Sequence, residues 1–288
     1  MKRNAILISL LLLGLPALSQ YDRIDSLLLD VFGNDKALNH LFDQPSANSY
    51  IYSGINCDSK TFYAGRELGD NMYSINGNLY MFHSSGLYFG ASGSWYSDLD
   101  PGYNFTVVTA GIRKPLNQKK NLSFRASYSR YLLNSADSVT ENVSKNNLGA
   151  GLLIRNNWIG GYLSFNALFG KEFRMNLSPA IFSNITLARF GKYGKIMLSP
   201  EISLFIGAET IVNESGNSII DPLSSSYTIT EKYGLLNTQA YLPVCVYAGN
   251  FSFEFGCSVI IPMTQDNTIR YPVNSFFSFS VGYLLPLK

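Results

Sequence analysis

The stretch Phe251-Ser252-Phe253-Glu254-Phe255-Gly256-Cys257-Ser258-Val259-Ile260-Ile261 decides the fold. Phe251, Phe253, Phe255, Cys257, Val259 and Ile261 recur at every second position, and the residues between them are small or polar as far as Ser258. An extended strand sends successive side chains to opposite faces, so this segment has one continuously apolar face. Gly249-Asn250, just before it, reads as a two-residue hairpin turn back to a strand over 235–247. That turn sets Leu242 opposite Cys257 and Glu254 opposite Cys245, so the two sulfurs point to opposite faces and a disulfide between them needs a different register.

The same alternation recurs along the chain. Phe277, Phe279, Val281, Tyr283 and Leu285 alternate with Ser278, Ser280 and Gly282, and Leu87, Phe89, Ala91 and Trp95 alternate with Tyr88, Gly90, Ser92, Ser94 and Tyr96. Ile159, Leu163, Phe165 and Phe169 likewise face away from Tyr162, Ser164 and Asn166. Working back from the C-terminus, strands are expected over 275–285, 251–262, 235–247, 195–207, 179–189, 158–169, 146–154, 122–133, 104–113, 87–96 and 72–82, with a first one within 50–66. That makes about twelve, with ten to fourteen as the range, because 50–66 reads either as one bent strand or as two. The connections 83–86, 114–121, 155–157, 191–194 and 249–250 are short and are assigned to the periplasm. Those at 134–145, 170–178, 208–234 and 263–274 are long.

A soluble sandwich alternates too, with its polar face wet. Its outward face is usually rich in Lys and Glu, yet only 15% of the 288 residues here are charged, against roughly 25% in soluble proteins. Aromatics make up 14%, with 19 Tyr and 19 Phe, and the second face is built of Gly, Ser, Asn and Tyr. Strands of about ten residues also exceed the usual five or six. The expectation is an all-β, closed, antiparallel up-and-down barrel that crosses a membrane, because lipid leaves closure as the only way to satisfy the backbone of a sheet.

Other classes fall away. The mean hydropathy of +0.05 is too low for a helical bundle, and 46% hydrophobic residues exclude a disordered chain. With 22 Lys+Arg against 20 Asp+Glu there is no basic field for nucleic acid. Lys2 and Arg3, the apolar run Ile6 to Leu15, and Ala17-Leu18-Ser19 read as a signal peptide over 1–19. Residues 20–49 read as a periplasmic segment in which Ile24, Leu27, Leu28 and Val31 form an amphipathic helix stopped at Gly33, and 50–288 as the barrel.

The signal sequence ending in ALSQ, the DSLLLDVFGND segment, the repeated Leu-Ser-Pro of LSPAIFSNITL and LSPEISLFIGA, and the terminal FFSFSVGYLLP resemble the outer-membrane β-barrel proteins of Bacteroidota-type bacteria. The likeness covers nearly the whole mature chain and is one of style. It implies residence in the outer membrane of a Gram-negative cell, insertion by the general barrel-assembly machinery, and strand starts at the Leu-Ser-Pro repeats.

Catalysis is not expected. Barrel enzymes resemble one another in using His with Ser or Asp near the membrane surface; here His40 lies in the N-terminal segment and His83 in a short turn beside Ser84 and Ser85. No phosphate-binding loop or HExxH pair is present, and Cys57, Cys245 and Cys257 match no metal-ligand spacing, so neither cofactor nor metal is expected. By parity Arg125, Arg155, Glu201 and Glu254 point inward with Tyr80, Tyr88, Tyr96, Tyr131, Tyr162, Tyr241 and Tyr247. They serve either as a wall-propping network or as a selectivity ring. Trp95, Tyr96 and Tyr103 read as an interfacial girdle or as sugar-stacking rings. The functional expectation is a passive pore for small solutes. The alternative is a non-conducting barrel that acts as scaffold or subunit and meets another envelope protein through the N-terminal segment or the 208–234 loop. The lipid bilayer is the partner common to both.

Overall fold

The computed structural model describes residues 49–63, 66–67, 72–97, 103–133, 145–156, 158–170, 173–191, 194–215, 226–264 and 270–287. The signal peptide, the amphipathic segment and His40 lie outside them. The strands in chain order are β1 Tyr50–Asp58, β2 Phe62–Tyr63, β3 Arg66–Glu67, β4 Ser74–Phe82, β5 Leu87–Tyr96, β6 Tyr103–Pro115, β7 Leu122–Leu133 and β8 Asn146–Arg155. They continue with β9 Ile159–Phe169, β10 Arg174–Ser183, β11 Ile185–Phe190, β12 Gly194–Leu198, β13 Glu201–Ser215, β14 Ser226–Ala248, β15 Phe251–Pro262 and β16 Asn274–Pro286. No helix occurs among the described residues.

Each wall strand pairs antiparallel with its neighbour in sequence, and β1 pairs with β16, which closes a barrel of 12 strands. β2 and β3 pair only with each other in the β1–β4 connection, so 50–66 is one wall strand followed by a small separate hairpin. β10 with β11 and β12 with β13 form the two arms of one long hairpin, interrupted at Asn184 and at Ser199-Pro200 and turning at Gly191 with φ 57°. The arms continue past the start of β9, where Ile159 pairs with Ser183, and every residue of β11 is exposed.

Four expectations need correction. The wall strand expected over 179–189 begins at Arg174, so the 170–178 loop is much shorter. The strand expected over 195–207 reaches Ser215 and the one expected over 235–247 starts at Ser226; most of 208–234 is therefore paired strand. Pro179 lies within β10, facing Leu163, whereas Pro200 sits at the break before β13, so the two Leu-Ser-Pro repeats occupy different places and neither sets a common strand start. Finally, the turn expected at 155–157 begins one residue later, because Arg155 is the last residue of β8, and it runs up to Ile159.

Between β14 and β15 the register is the one the turn demanded, with Leu242 opposite Cys257 and Cys245 opposite Glu254. Gly249 takes φ 62°, a left-handed conformation that glycine adopts without strain. All three cysteines are free thiols.

The two faces differ as lipid and lumen require. Ile181 is 67% exposed, Phe89 59% and Phe255 55%, and they belong to a belt that also holds Leu79, Leu148, Ile202 and Phe277. An apolar surface of this extent is unfavourable in water and suits hydrocarbon. Inside, aromatic rings lie against the wall over glycines. A Cβ on Gly256 would fall 2.3 Å from the Tyr241 ring and one on Gly160 2.3 Å from that of Phe182. Glycine at these positions lets a large ring lie flat, so a ring that would otherwise project into the lumen becomes part of its lining.

Candidate functional site

The site is the inner wall, and it has three levels. Near the end where β1 starts and β16 ends, Tyr50, Phe82 and Tyr88 stack across β1, β4 and β5, with centroids 4.8 Å and 5.5 Å apart. Tyr52 and Tyr80 complete that cluster. The cross-strand register makes the stack: Tyr50 faces Phe82, and Phe82 faces Tyr88.

A second group on the inner wall is charged and rich in tyrosine. Parity and register put Arg125, Arg155, Glu201 and Glu254 on the inner face with Tyr88, Tyr162 and Tyr241. The structure brings them together in pairs. Tyr162 donates its hydroxyl proton to Glu201 Oε1 at 2.9 Å. Tyr241 donates to Glu254 Oε1 at 2.5 Å and also meets Ser278 Oγ at 3.1 Å, while the Cys245 thiol donates to Glu254 Oε2 at 3.4 Å. Arg155 lies over the Phe182 ring, 5.9 Å from its centroid, and Lys195 over Tyr247 at 4.5 Å. Tyr80, Tyr96 and Tyr131 are also inside and buried.

The third level is a ladder of amides and hydroxyls. Asn147 Nδ2 donates to Asn166 Oδ1 at 3.4 Å, and Asn166 Nδ2 to Asn176 Oδ1 at 3.2 Å, crossing β8, β9 and β10. Gln239 Nε2 donates to Ser258 Oγ at 3.0 Å. At the ends of the amide ladder, Asn147 Oδ1 and Asn176 Nδ2 are buried with no protein partner, as is Ser178 Oγ nearby.

Over the opposite end of the lumen folds the β1–β4 connection. Thr61, Phe62 and Met72 are buried, and Phe62 packs on Ile260 and Phe276 of the inner wall, 5.2 Å from the Phe276 ring. Lys60 and Glu67 pin the small hairpin with an ion pair of 2.9 Å.

Sequence reasoning missed several of these groups. Arg113 ends the strand expected over 104–113 and continues the inward series Val107, Thr109, Gly111; the structure sets it opposite Arg125, an inward position that parity offered and that was not drawn into the candidate set. The amide ladder had a signal, inward parity on three strands, and the inward-folded connection had none. Tyr96 is an inner-wall residue, not part of a girdle, whereas Trp95 stands 5.4 Å from Tyr73. Trp158, 79% exposed beside the short β8–β9 turn, is the clearer interfacial ring. Residues 98–102 lie outside the described residues. His83 accepts from the Ser85 backbone N–H and meets Ser85 Oγ at 2.8 Å, bonds that cap the turn.

No protein-family model matches the chain, and no curated protein matches it by sequence. Solved structures resemble it in fold. An outer membrane channel from Pseudomonas putida F1, described as COG4313, is 12% identical with a TM-score of 0.50 over 85% of this chain and 98% of that one. The KdgM porin is 11% identical with a TM-score of 0.46 over 82% and 98%. The translocator domain of the autotransporter NalP from Neisseria meningitidis is 13% identical with a TM-score of 0.44 over 86% and 92%. At such identity the likeness concerns architecture alone. The fold and its apolar outer belt define a closed, twelve-stranded, antiparallel transmembrane β-barrel.

Proposed function

We propose that the barrel is a non-enzymatic passive pore that lets small hydrophilic solutes cross the outer membrane of a Gram-negative, Bacteroidota-type cell. The observation that carries this reading is the inner wall itself, which between its aromatic and apolar ends carries a ladder of amides and hydroxyls and ionisable side chains. Buried amide and hydroxyl atoms without a protein partner are costly in a dry interior and are satisfied by water. A hydrated lumen supplies that water. The N-terminal segment over 20–49 is then a periplasmic cap, and the inward-folded Phe62 segment the constriction that limits solute size.

A specific observation favours the second reading, a closed scaffold. Leu168, Asn147 and Ser258 on the wall strands are completely buried, as they are when side chains fill a barrel from within. In that reading the N-terminal segment or the protruding β13–β14 hairpin meets another envelope protein. Liposome swelling separates the two: vesicles carrying the folded protein swell in isotonic monosaccharide faster than protein-free vesicles if the barrel is a pore. Equal rates support the scaffold.

A further inference from the structure

Below the last pairing of β10 with β9, that of Ser183 with Ile159, the long hairpin loses one neighbour. β11 pairs with β12, and β12 with β14, but no described strand pairs with the other edge of β11. Asn184, just before it, still donates its backbone N–H to Trp158 O at 3.1 Å. From Ile185 to Phe190 the edge is open, and an open edge is a template for another chain. Its side chains await cover as well: Ile185, Leu187 and Phe190 are exposed apolar residues. On the inner face Arg189 lies directly opposite Lys195, and Arg155 also acts on Lys195 as a like charge. Like charges directly opposite destabilise a sheet, and an acidic neighbour relieves them. The bulge between Thr186 and Ala188 and the charge of Arg189 guard the edge against indiscriminate pairing, and that charge also selects the partner.

A second copy is a poor occupant. Its β11 points the same way in the shared membrane, so antiparallel pairing of the two edges would turn one barrel over. The chain's own N-terminal segment enters at the correct end. Ser49 is fixed there by the Leu287 N–H, which donates to its carbonyl at 2.8 Å, and by the Ser84 N–H, which donates to its Oγ at 3.1 Å. From β1 the edge is five pairings away, through β16, β15, β14 and β12; at about 4.8 Å each this is about 24 Å, which about eight extended residues span. The 29 residues over 20–48 exceed that need. They carry Asp22, Asp25, Asp30, Asp35 and Asp43 against Arg23 and Lys36, a balance opposite in sign to the hairpin. Laid extended, Leu27, Leu29 and Val31 fall on one face and Asp30 on the other, which matches Ile185 and Phe190 outside and Arg189 inside.

We infer that the free edge of β11 is the docking site of the chain's own acidic N-terminal segment, laid along it as an added strand over Leu27 to Phe32 in place of the helix that periodicity expects. Backbone bonds to the edge supply the affinity, and the aspartates facing Arg189 and Lys195 supply the choice. The inference rests on the reading of 20–49 as a segment outside the wall and deepens its role as a cap. Five of twelve strand positions separate β1 from β11, so the chain between Ser49 and the docked strand crosses the mouth of the barrel.

The test is hydrogen exchange of the purified mature chain, residues 20–288, in detergent micelles, read residue by residue by mass spectrometry. Pairing with β12 protects alternate amides of Ile185 to Phe190, and a docked segment also protects those that face the free edge. Asp25→Lys/Asp30→Lys, which lies outside the wall, should speed exchange of the edge-facing amides about tenfold or more while β16 amides stay unchanged. Arg189→Glu/Lys195→Glu should do the same, and joining the two pairs of substitutions should restore protection. Edge-facing amides that exchange freely in the unaltered chain, or protection indifferent to Asp25 and Asp30, overturn the inference. Protection that appears only together with a dimer in light scattering assigns the edge to a second copy and overturns it too. Protected edge-facing amides in a barrel that never conducts uphold the docking and refute the pore.

Discussion

The sharpest test of the two-faced wall compares two neighbours halfway along β16. Phe279 faces outward, 48% exposed, with Phe255 and Cys57 as its cross-strand partners on the same face. Ser280 faces inward between Glu254 and Asn56. Phe279→Arg puts a cation at mid-depth in the hydrocarbon, where an arginine on a barrel's lipid face costs roughly 2 to 4 kcal/mol. The lost phenyl burial adds to that cost, and the arginine stem regains part of it by reaching for the headgroups. Ser280→Arg places the same cation beside Glu254 in a polar layer, where an ion pair in contact with water changes stability by about 1 kcal/mol or less. Folding into lipid vesicles across a denaturant series, followed by the heat-modifiable shift on gels, reads both. The reasoning predicts a lowered midpoint for Phe279→Arg and a nearly unchanged one for Ser280→Arg. Similar losses in the two variants, or a larger loss at Ser280, would refute the assignment of faces.

Other outcomes follow from the inner wall. Gly256→Val forces the Tyr241 ring off the wall and away from Glu254 and Ser278, and should cost about 1 to 3 kcal/mol in the same titration. A neutral result would mean that the ring has room to spare. Tyr162→Phe strips Glu201 of its hydroxyl donor and should destabilise by about 1 to 3 kcal/mol, an effect that Tyr162→Phe/Glu201→Gln partly relieves. Phe62→Ala removes the anchor of the inward-folded connection on Ile260 and Phe276, and should raise single-channel conductance in a barrel that still folds to its heat-modifiable form at a somewhat lowered denaturation midpoint. An unchanged conductance would show that this segment does not narrow the path.

What the sequence could reveal follows the physics of each region. Inside the membrane every outward position must be apolar, so the alternation over 251–262 and 275–285 was legible, and with it the hairpin at Gly249-Asn250 and the inward parity of Arg125, Glu201 and Glu254. Beyond the membrane the constraint lifts. The outer parts of β13 and β14, Thr210–Ser215 and Ser226–Thr230, carry backbone pairing with no lipid-facing requirement, and they read as loop. β10 begins with an inward arginine, Arg174, and contains Pro179, a combination that imitates a turn. The inward fold of Phe62 was illegible for another reason: where a connection packs is decided by the far strands β15 and β16, which no local pattern encodes.

The central claim is that a water-filled path runs through this barrel, and single-channel recording addresses it directly. Purified, heat-modifiable protein added to one side of a planar bilayer in KCl should insert as discrete conductance steps of one unit size, scaling with salt concentration. Inserted, correctly folded protein that leaves the current at the level of the bare bilayer would contradict the account and establish a closed barrel.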